Sequence, residues 1–328
     1  MRRIVSALER KREQGMLQAE LEKLMAISRS YCSELISEME RNGSVVRIRS
    51  GSSLRVFLSD YFPGVVNGII RIGMPRSSEY IPMISTLLSL ASKSGIIVKI
   101  LPIDSIPELL RRIQLGSLDL VMAPAMPTIS LGLLSGNIKI LAGVASGGSA
   151  ILAKEEECKS CVLTSASSTM ITMVAKTKFP VEETSVFTNP SDGIRHFLSG
   201  RCCRIAIWEP YLEKIRNRPG IKVETTYTTL LDGFPCCVLS TSSSFLASDG
   251  TFVADLVKSY SLNPMKFMET ENGLEAIKIV GKITRSTSDL LLRSLLDYNF
   301  SHKDIGINDL TGLGVAITPE QFNGLFYH

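Results

Sequence analysis

The spacing of hydrophobic positions separates a short N-terminal segment from a much longer one. Leucines recur at helical spacing over residues 17–24, Ser28 can cap a following helix, and Leu35 and Met39 share one face of that helix. Two alternating strands, VVRIR and LRVFL, then flank the turn SGSS. With a first helix at about residues 2–13, the pattern predicts three helices followed by a β-hairpin.

From residue 69 onward the hydrophobic pattern changes to strands that alternate with helices. The strand GIIRIGMP leads into a helix that ends at Gly95, and the next strand is IIVKILPI. Ser105 and Glu108 form a capping box for a second helix, after which the apolar strand LDLVMAP ends at Pro124. This order predicts an α/β fold with a parallel sheet covered by helices on both faces.

A comparable unit returns later in the chain. The helix SDGIRHFLSG and the strand RIAIWEP repeat the order helix, glycine, buried strand, proline. We therefore expect two similar lobes, with SAILA (149–153) and CCVLS (236–240) as the strands at which the chain crosses between them. The predicted organisation is an N-terminal domain at 1–62, a linker at 63–68, lobe 1 at 69–153 and 236–328, and lobe 2 at 154–235.

Composition and charge add expectations about location and partners. Of the 328 residues, 45% are hydrophobic and 21% charged, which is ordinary for a globular protein. The N-terminus MRRIVSALERKREQG lacks the apolar region of a signal peptide, and apolar runs are too short to span a bilayer, so we expect a cytoplasmic protein without a membrane segment. Residues 1–60 hold eleven Lys and Arg against eight acidic residues, so most of the net charge of +4 lies there.

Seven cysteines occur without a regular spacing. The pair Cys158 and Cys161 has the CxxC spacing of a zinc or redox site, but no second CxxC follows it. We expect buried, reduced thiols, no metal site and no cofactor.

The N-terminal pattern resembles a winged helix-turn-helix domain over about 60 residues. In that family the second helix of the pair enters the major groove and the wing contacts the DNA backbone. The resemblance implies base or phosphate contacts for Arg29, Ser30, Tyr31 and Ser33, and backbone contacts for Arg47, Arg49 and Arg55. The alternative is a winged helix that docks another protein, and Tyr31 also suits a place in the core.

The longer segment resembles the type II periplasmic-binding-protein fold. The resemblance rests on RIGMP, LAGVASGGSAILA, VLTSASSTM and GIRHFLSGRCCRIAIWEPYLEKI, and the related proteins are nitrate, sulfonate and taurine receptors and thiamine-pyrimidine-precursor proteins. The sequence departs from that family at RCCR, where the family has an acidic residue after the glycine. The resemblance implies a bilobal domain with a ligand cleft between the lobes.

Candidate ligand-binding residues follow from this fold, because ligands bind where helices begin beyond the carboxyl ends of parallel strands. The positions are Ser77, Ser78, Pro124, Thr128, Ser146, Ser165, Ser168, Thr169, Trp208 and Glu209. Each has an alternative: Trp208 can be core, Glu209 can pair with an arginine, and the hydroxyl residues can be ordinary helix caps.

Together these features predict a ligand-responsive transcription regulator that binds double-stranded DNA as a homodimer. The expected effector is an anionic or planar heterocyclic small molecule. No nucleophile–base pair, metal site or carboxylate pair forms a motif, so we expect no catalysis. The alternatives are a metabolite-binding protein or precursor-synthase-like enzyme with a docking winged helix, and a transporter-associated receptor.

Overall fold

The computed structural model describes residues 1–155, 161–177, 181–231, 233–262, 264–301 and 305–327. In these ranges, no helix combines the length and apolar character needed to cross a membrane. Three short 3-10 helices occupy Arg12–Gln14, Ser59–Tyr61 and Pro264–Glu269.

The N-terminal segment forms three helices and a small antiparallel sheet. Its elements are α1 (Arg2–Lys11), β1 (Met16–Leu17), α2 (Gln18–Met25), α3 (Arg29–Arg41), β2 (Val45–Ser50) and β3 (Ser53–Leu58), and the sheet order is β1-β3-β2. Ser28 caps α3 by accepting a hydrogen bond from the Tyr31 amide, as its position before the helix predicts. Leu8, Leu21 and Ile36 are fully buried and hold the helices together.

Residues 69–147 alternate between strands and helices, as the hydrophobic pattern predicts. The elements are β4 (Ile69–Met74), α4 (Ile81–Ser94), β5 (Ile97–Pro102), α5 (Ile106–Gln114), β6 (Leu120–Pro124), α6 (Ala125–Ser135) and β7 (Ile138–Gly147). Gly95 ends α4 in the left-handed conformation, and Ser105 caps α5 through the Glu108 amide. By contrast, Ser77 and Ser78 do not cap α4, because that helix begins at Ile81 without a side-chain cap.

Residues 149–231 form the second lobe. Its elements are β8 (Ser149–Lys154), β9 (Cys161–Ser165), α7 (Thr169–Ala175), β10 (Glu183–Phe187), α8 (Pro190–Leu198), β11 (Arg204–Trp208), β12 (Ile221–Thr226) and α9 (Tyr227–Leu231). The five-stranded sheet has the order β10-β9-β11-β8-β12, in which β9 runs parallel to β10 and β11.

The chain then returns to the first lobe. The remaining elements are β13 (Cys237–Ser242), α10 (Ser243–Leu262), α11 (Glu271–Thr284), α12 (Ser288–Leu295), β14 (Tyr298–Asn299), α13 (Ile307–Gly312) and α14 (Pro319–Leu325). The six-stranded sheet has the order β14-β7-β13-β6-β4-β5, with β4 parallel to β5 and β6 and with β13 antiparallel to β6 and β7. The stretch 311–327, which no sequence pattern explains, packs on this lobe through α14 and the buried Leu325.

The first crossing between lobes differs from its predicted place. SAILA (149–153) belongs to β8 and pairs with β11 and β12 of the second lobe, instead of ending lobe 1. The chain crosses between the lobes just before β8, at Gly147 and Gly148, which both have a positive φ. A Cβ atom at Gly148 would overlap the ring of Tyr298, so glycine is required there for two reasons.

A buried arginine of the first lobe, Arg71, holds residues 59–64 at the end of the N-terminal segment through hydrogen bonds to their backbone carbonyls. Arg71 is fully buried and pairs with Asp119 at 2.7 Å. Its remaining N–H groups donate to the carbonyl oxygens of Ser59, Phe62 and Gly64 at 3.0, 2.6 and 2.6 Å. Residues 59–64 are therefore packed against β4 by these hydrogen bonds and do not form a free linker between the N-terminal segment and the first lobe.

Surface ion pairs extend the same contact. Arg111 on α5 pairs with Glu13 at 2.8 Å, and Lys99 on β5 pairs with Asp60 at 2.9 Å. The N-terminal segment therefore contacts the first lobe at its β5 and α5 side.

Candidate functional site

A cavity lies where the strands of the two lobes end. It is called the interlobe cavity below, and the space in it that is open to the centres of water molecules is about 40 Å³. The first lobe contributes Pro75, Arg76, Ser77, Glu79, Tyr80, Asp104, Ile106, Pro124, Cys236 and Cys237, and the second contributes Ser165, Ser168, Met170, Thr188, Pro190 and Trp208. Strands β4, β6, β9, β10 and β11 all end beside it, which is the usual place for a ligand in parallel α/β sheets.

Half of the sequence-predicted ligand residues line this cavity. They are Ser77, Pro124, Ser165, Ser168 and Trp208. The Ser168 hydroxyl also caps α7, since it accepts a hydrogen bond from the Met170 amide at 3.2 Å. Ser168 is therefore both an ordinary helix cap and part of the cavity lining.

The other predicted ligand residues lie outside the lining, because the hydrogen bonds of their side chains or backbone hold them elsewhere. The hydroxyls of Thr128 and Thr169 donate to the carbonyl oxygens of Pro124 and Cys236 at 2.8 and 2.9 Å. Ser78 accepts a hydrogen bond from the Ser294 hydroxyl, and Ser146 lies at a separate, smaller cavity. Glu209 is fully buried behind the lining.

Trp208 connects the two lobes beside the cavity. Its indole Nε1 donates a hydrogen bond of 2.8 Å to the carbonyl oxygen of Arg76, which belongs to the other lobe. The ring stacks on Phe187 with centroids 5.9 Å apart and meets Tyr211 edge-on at 6.2 Å. The side chain is thus both part of the packed lobe and part of the cavity lining.

Glu209 turns away from the cavity into a buried charged cluster. Arg216 contacts its carboxyl group at 3.0 Å and also pairs with Glu213 and Asp297. Arg293 adds a second guanidinium at Glu213, 3.1 Å from its carboxyl group, so two cations face three carboxyl groups. Burial, together with the neighbouring Asp297, raises the pKa of Glu209 to about 9. Its backbone carbonyl still joins the lobes, because it accepts hydrogen bonds from the Ser78 amide at 3.3 Å and the Ser77 hydroxyl at 3.2 Å.

A polar cluster that the sequence analysis missed lies in the cavity wall. The Cys237 thiol donates to Glu79 Oε1 at 3.1 Å, and the Tyr80 hydroxyl lies 3.1 Å from the Cys237 sulfur. Burial raises the pKa of Glu79 to about 7 and raises the pKa of the Cys237 thiol well above its usual value. The adjacent cysteines were visible in the sequence, but their approach to a glutamate 158 residues away was not.

Arg76 is the arginine that lines the cavity, and its charge is already compensated. It forms an ion pair with Asp104, and its Nε donates to the carbonyl oxygen of Ile283 at 3.0 Å. The cavity therefore combines a paired arginine, an acidic group, thiols, hydroxyls and two aromatic rings.

Cysteine pairing differs from the sequence expectation of reduced thiols. Cys161 and Cys202 form a disulfide that joins β9 to the segment before β11, with Cα atoms 5.0 Å apart. Cys203 is also disulfide-bonded, and the free cysteines in the described part of the chain are Cys32, Cys236 and Cys237. Cys158 lies outside the described residues.

The predicted DNA-contacting residues divide by exposure. Arg29, Ser30 and Tyr31 are exposed at the start of α3, and Tyr31 has 52% of its surface accessible, so it is not part of the core. Arg49 is exposed on the hairpin. Arg47 is paired with Glu40 at 2.7 Å and lies 3.5 Å from the Ser33 hydroxyl, while Arg55 donates to the Gln14 carbonyl at 2.7 Å.

Comparison with solved structures identifies the fold of the two-lobed part. The chain is similar to the alkanesulfonate-binding protein SsuA from Xanthomonas axonopodis pv. citri bound to MOPS, with 14% identity, a TM-score of 0.60, and 76% of this chain and 91% of that chain covered. The periplasmic aliphatic sulphonate-binding protein SsuA from Escherichia coli matches with 16% identity and a TM-score of 0.57, over 75% of this chain and 89% of that chain. The two-lobed part of the chain has the periplasmic-binding-protein fold, as the sequence resemblance implies.

A third similar structure is the periplasmic nitrate-binding protein NrtA from Synechocystis PCC 6803. It shares 16% identity and a TM-score of 0.54, over 71% of each chain. All three of these neighbours are named as binding proteins. No protein-family model matches the chain, and no curated protein matches it.

The prediction of a cytoplasmic location is wrong by this comparison. The solved structures that share the fold include proteins named as periplasmic, which points away from the cytoplasm. The Cys161–Cys202 disulfide agrees with the correction, because disulfides persist mainly in oxidising compartments.

Proposed function

We propose that the protein binds a small molecule in the interlobe cavity and that this binding controls a second activity of the N-terminal segment. The observation that carries the proposal is the cavity itself, which is lined by both lobes and joined across them by the Trp208–Arg76 hydrogen bond. A ligand that contacts both lobes favours the closed arrangement by its differential affinity for it.

The chemistry of the lining favours a planar heterocycle over a strong anion. Arg76 is compensated by Asp104, and Glu79 adds an acidic group that would repel an anion. Trp208 offers aromatic surface, while the hydroxyls of Ser165, Ser168 and Thr188 offer hydrogen bonds to ring nitrogens or carbonyls. The sulfonate and nitrate named in the neighbours' titles are the competing ligand class.

The test is thermal denaturation of the full chain with a panel of heterocycles, sulfonates and nitrate, after native mass spectrometry for any co-purified ligand. A ligand that raises the melting temperature of the wild-type protein should do so equally in Ser146→Ala, whose position lies outside the cavity, and less in Ser165→Ala. Equal responses of both variants, or no response to the whole panel, would refute the proposal.

The second activity that we favour is binding of double-stranded DNA by residues 1–62 as a winged helix. Support comes from the order of three helices and a hairpin, and from the exposed Arg29, Ser30 and Tyr31 at the start of α3. Exposed Arg49 would contact phosphates, with Ser33 beside the helix face, whereas Arg47 and Arg55 serve mainly internal contacts. In a homodimer, each N-terminal segment would move with its own first lobe, because Arg71 holds it there. Lobe closure would therefore reorient the two N-terminal segments relative to the DNA.

Duplex binding is measured by fluorescence anisotropy at several salt concentrations, together with native mass spectrometry for the dimer. The double variant Arg29→Ala/Arg49→Ala should weaken binding and reduce the slope of log affinity against log salt by about 0.9 for each lost phosphate contact. Arg195→Ala removes an exposed arginine from the second lobe and is the matched control. Equal binding by both variants, or no binding by the wild-type protein, would contradict the DNA proposal.

A further inference from the structure

Three side chains of the kinds that bind metals meet in the wall of the interlobe cavity. The ligand atoms of Glu79, Cys236 and Cys237 all lie within 4.8 Å of one another. The Cys237 sulfur is 3.1 Å from Glu79 Oε1, so the carboxyl group and that thiol are already in contact. All three residues belong to the cavity lining, and a bound ion would therefore face the cavity.

Glu79 carries an acceptor that the protein itself leaves unused. The side chain is 3% exposed, and its Oε2 has no hydrogen-bond partner among the described residues. A buried carboxyl oxygen without a partner is unfavourable, and such atoms are rare in folded proteins. This oxygen is an independent indication that the cavity takes a positively charged or hydrogen-bonding group at this point.

The backbone explains how two consecutive cysteines reach the same cavity. Successive side chains of a regular strand point to opposite faces. Here Cys236 precedes β13, and the pairing of β13 with β7 is irregular between Cys237 and Val238, which is the kind of bulge that redirects side chains. The Cys236 amide donates to Ala145 and its carbonyl accepts from the Ala125 amide, both at 2.9 Å, so the pair is held by backbone contacts on both sides.

We propose that Glu79, Cys236 and Cys237 bind one thiophilic divalent ion of the Zn²⁺ class. Two thiolate sulfurs and one carboxylate oxygen suit zinc and exclude a preference for Mg²⁺ or Ca²⁺, which take oxygen ligands. Binding forms two metal–sulfur bonds and one metal–oxygen bond. The two thiol protons pass to solvent, together with the Glu79 proton in the molecules where that carboxyl group is protonated, and no electron is transferred. A fourth position is left toward the cavity, where water or an organic ligand can complete a tetrahedral site.

This site does not depend on the proposed small-molecule function, although both use the same cavity. The metal is therefore measured alone, without any organic ligand. Failure of metal binding leaves the thermal-shift response to heterocycles unaffected, so the two proposals can fail separately.

The first test is titration of the full chain, purified without metal and kept free of oxygen, with Co²⁺. We expect a thiolate-to-cobalt absorption band that saturates at one ion per chain and is lost on addition of Zn²⁺. The variants Cys236→Ser/Cys237→Ser and Glu79→Gln should bind more weakly, the double variant by more than about 100-fold, because losing ligands costs more than losing their outer hydrogen bonds. Cys32→Ser removes a free cysteine of the N-terminal core and should bind as the wild type does.

X-ray absorption at the zinc edge of the wild-type protein tests the site even where a variant fails to fold. Two sulfur neighbours at about 2.3 Å, with lighter atoms completing the shell, would support the assignment. Any other sulfur number, absence of a thiolate band in the wild type, or unchanged cobalt binding by a folded Cys236→Ser/Cys237→Ser variant would overturn it.

Discussion

The indole Nε1 of Trp208 lies 2.8 Å from the carbonyl oxygen of Arg76, and this hydrogen bond joins the second lobe to the first. Phe187 and Tyr211 fix the ring from two sides, so the donor is held in position. A change at Trp208 should therefore affect the contact between the lobes as well as the cavity.

Trp208→Phe keeps an aromatic ring against Phe187 and removes the N–H donor. We expect a loss of about 1 kcal/mol in the free energy of unfolding, because the Arg76 carbonyl loses its partner. Amide hydrogen exchange should become faster around residues 76–79, as measured by mass spectrometry. Phe187→Leu, which weakens the stacking but keeps the hydrogen bond, is the control; equal acceleration in both variants would contradict this role.

Gly148→Ala tests the crossing between the lobes. Its φ of +62° and the overlap of a Cβ atom with the Tyr298 ring both oppose a side chain. The ring cannot move aside easily, because the Tyr298 hydroxyl is 3.1 Å from the Ser77 hydroxyl. Gly51 has a φ of +61° with no atom within 4 Å of its Cβ position and is the matched control.

Chemical denaturation should distinguish the two glycines. Gly51→Ala should cost about 1–2 kcal/mol for the left-handed backbone. Gly148→Ala should cost a further 1–3 kcal/mol, roughly, for the steric overlap. Equal losses would mean that Tyr298 adjusts freely.

The buried Glu209 should make stability depend on pH. Its pKa rises from 4.5 to about 9 in the folded protein, so the folded state holds a proton that the unfolded chain has lost. Stability is therefore highest below pH 4.5 as far as this group is concerned, and it falls as the pH rises toward 9 by about 1.4 kcal/mol per pH unit at most.

Urea denaturation between pH 5 and 9 measures the effect. Glu209→Gln should reduce the slope over the whole range and flatten it between pH 7 and 9, because the amide does not titrate, while Glu79, with its pKa raised to about 7, still titrates below that. Glu183→Gln, which changes an exposed strand residue of the same lobe, should leave the slope as in the wild type. A wild-type slope of zero or of the opposite sign would show that Arg216 keeps Glu209 ionised.

The disulfide between Cys161 and Cys202 should stabilise the second lobe. It closes a loop over a sequence separation of 41 residues. The double variant Cys161→Ser/Cys202→Ser should lower the free energy of unfolding by about 4 kcal/mol, as expected from loop entropy. Peptide mapping without reductant should recover the two cysteines in one linked pair, and finding them alkylated instead would refute the bond.

The Arg71–Asp119 pair should matter far more than exposed ion pairs. Arg71→Met leaves a buried carboxylate uncompensated and removes the contacts with Ser59 and Phe62, so we expect a loss of about 3–5 kcal/mol. Arg195→Met breaks an exposed pair with Asp192 and should cost less than about 1 kcal/mol. Denaturation midpoints of the two variants decide between these values.

Local patterns predicted the elements well, because their causes lie within a few residues. Ser28 and Ser105 cap helices as expected, Gly95 ends one, and the strands ending at Pro124 and Trp208 are in place. The periodicity of apolar positions also predicted which segments are buried. The order of these elements was sufficient to predict the two-lobed fold.

Side-chain direction at the strand ends could not be predicted in the same way. Ser165 and Ser168 line the cavity while Thr169, one residue later, bonds to Cys236. Glu209, next to Trp208, is turned into the cluster around Arg216. Adjacent side chains point in different directions, one into the cavity and the next into the protein interior. Which one faces the cavity depends on contacts with residues from other parts of the chain.

The sequence by itself determined the helices, the strands and their grouping into an N-terminal segment and two lobes, since these depend on local spacing. The tertiary structure alone decided which groups share the cavity. Glu79 meets Cys237 across 158 residues, and Cys161 bonds to Cys202, through packing of distant strands. The physical reason is that such contacts depend on how sheets and bulges place side chains in space, and no local pattern records that placement.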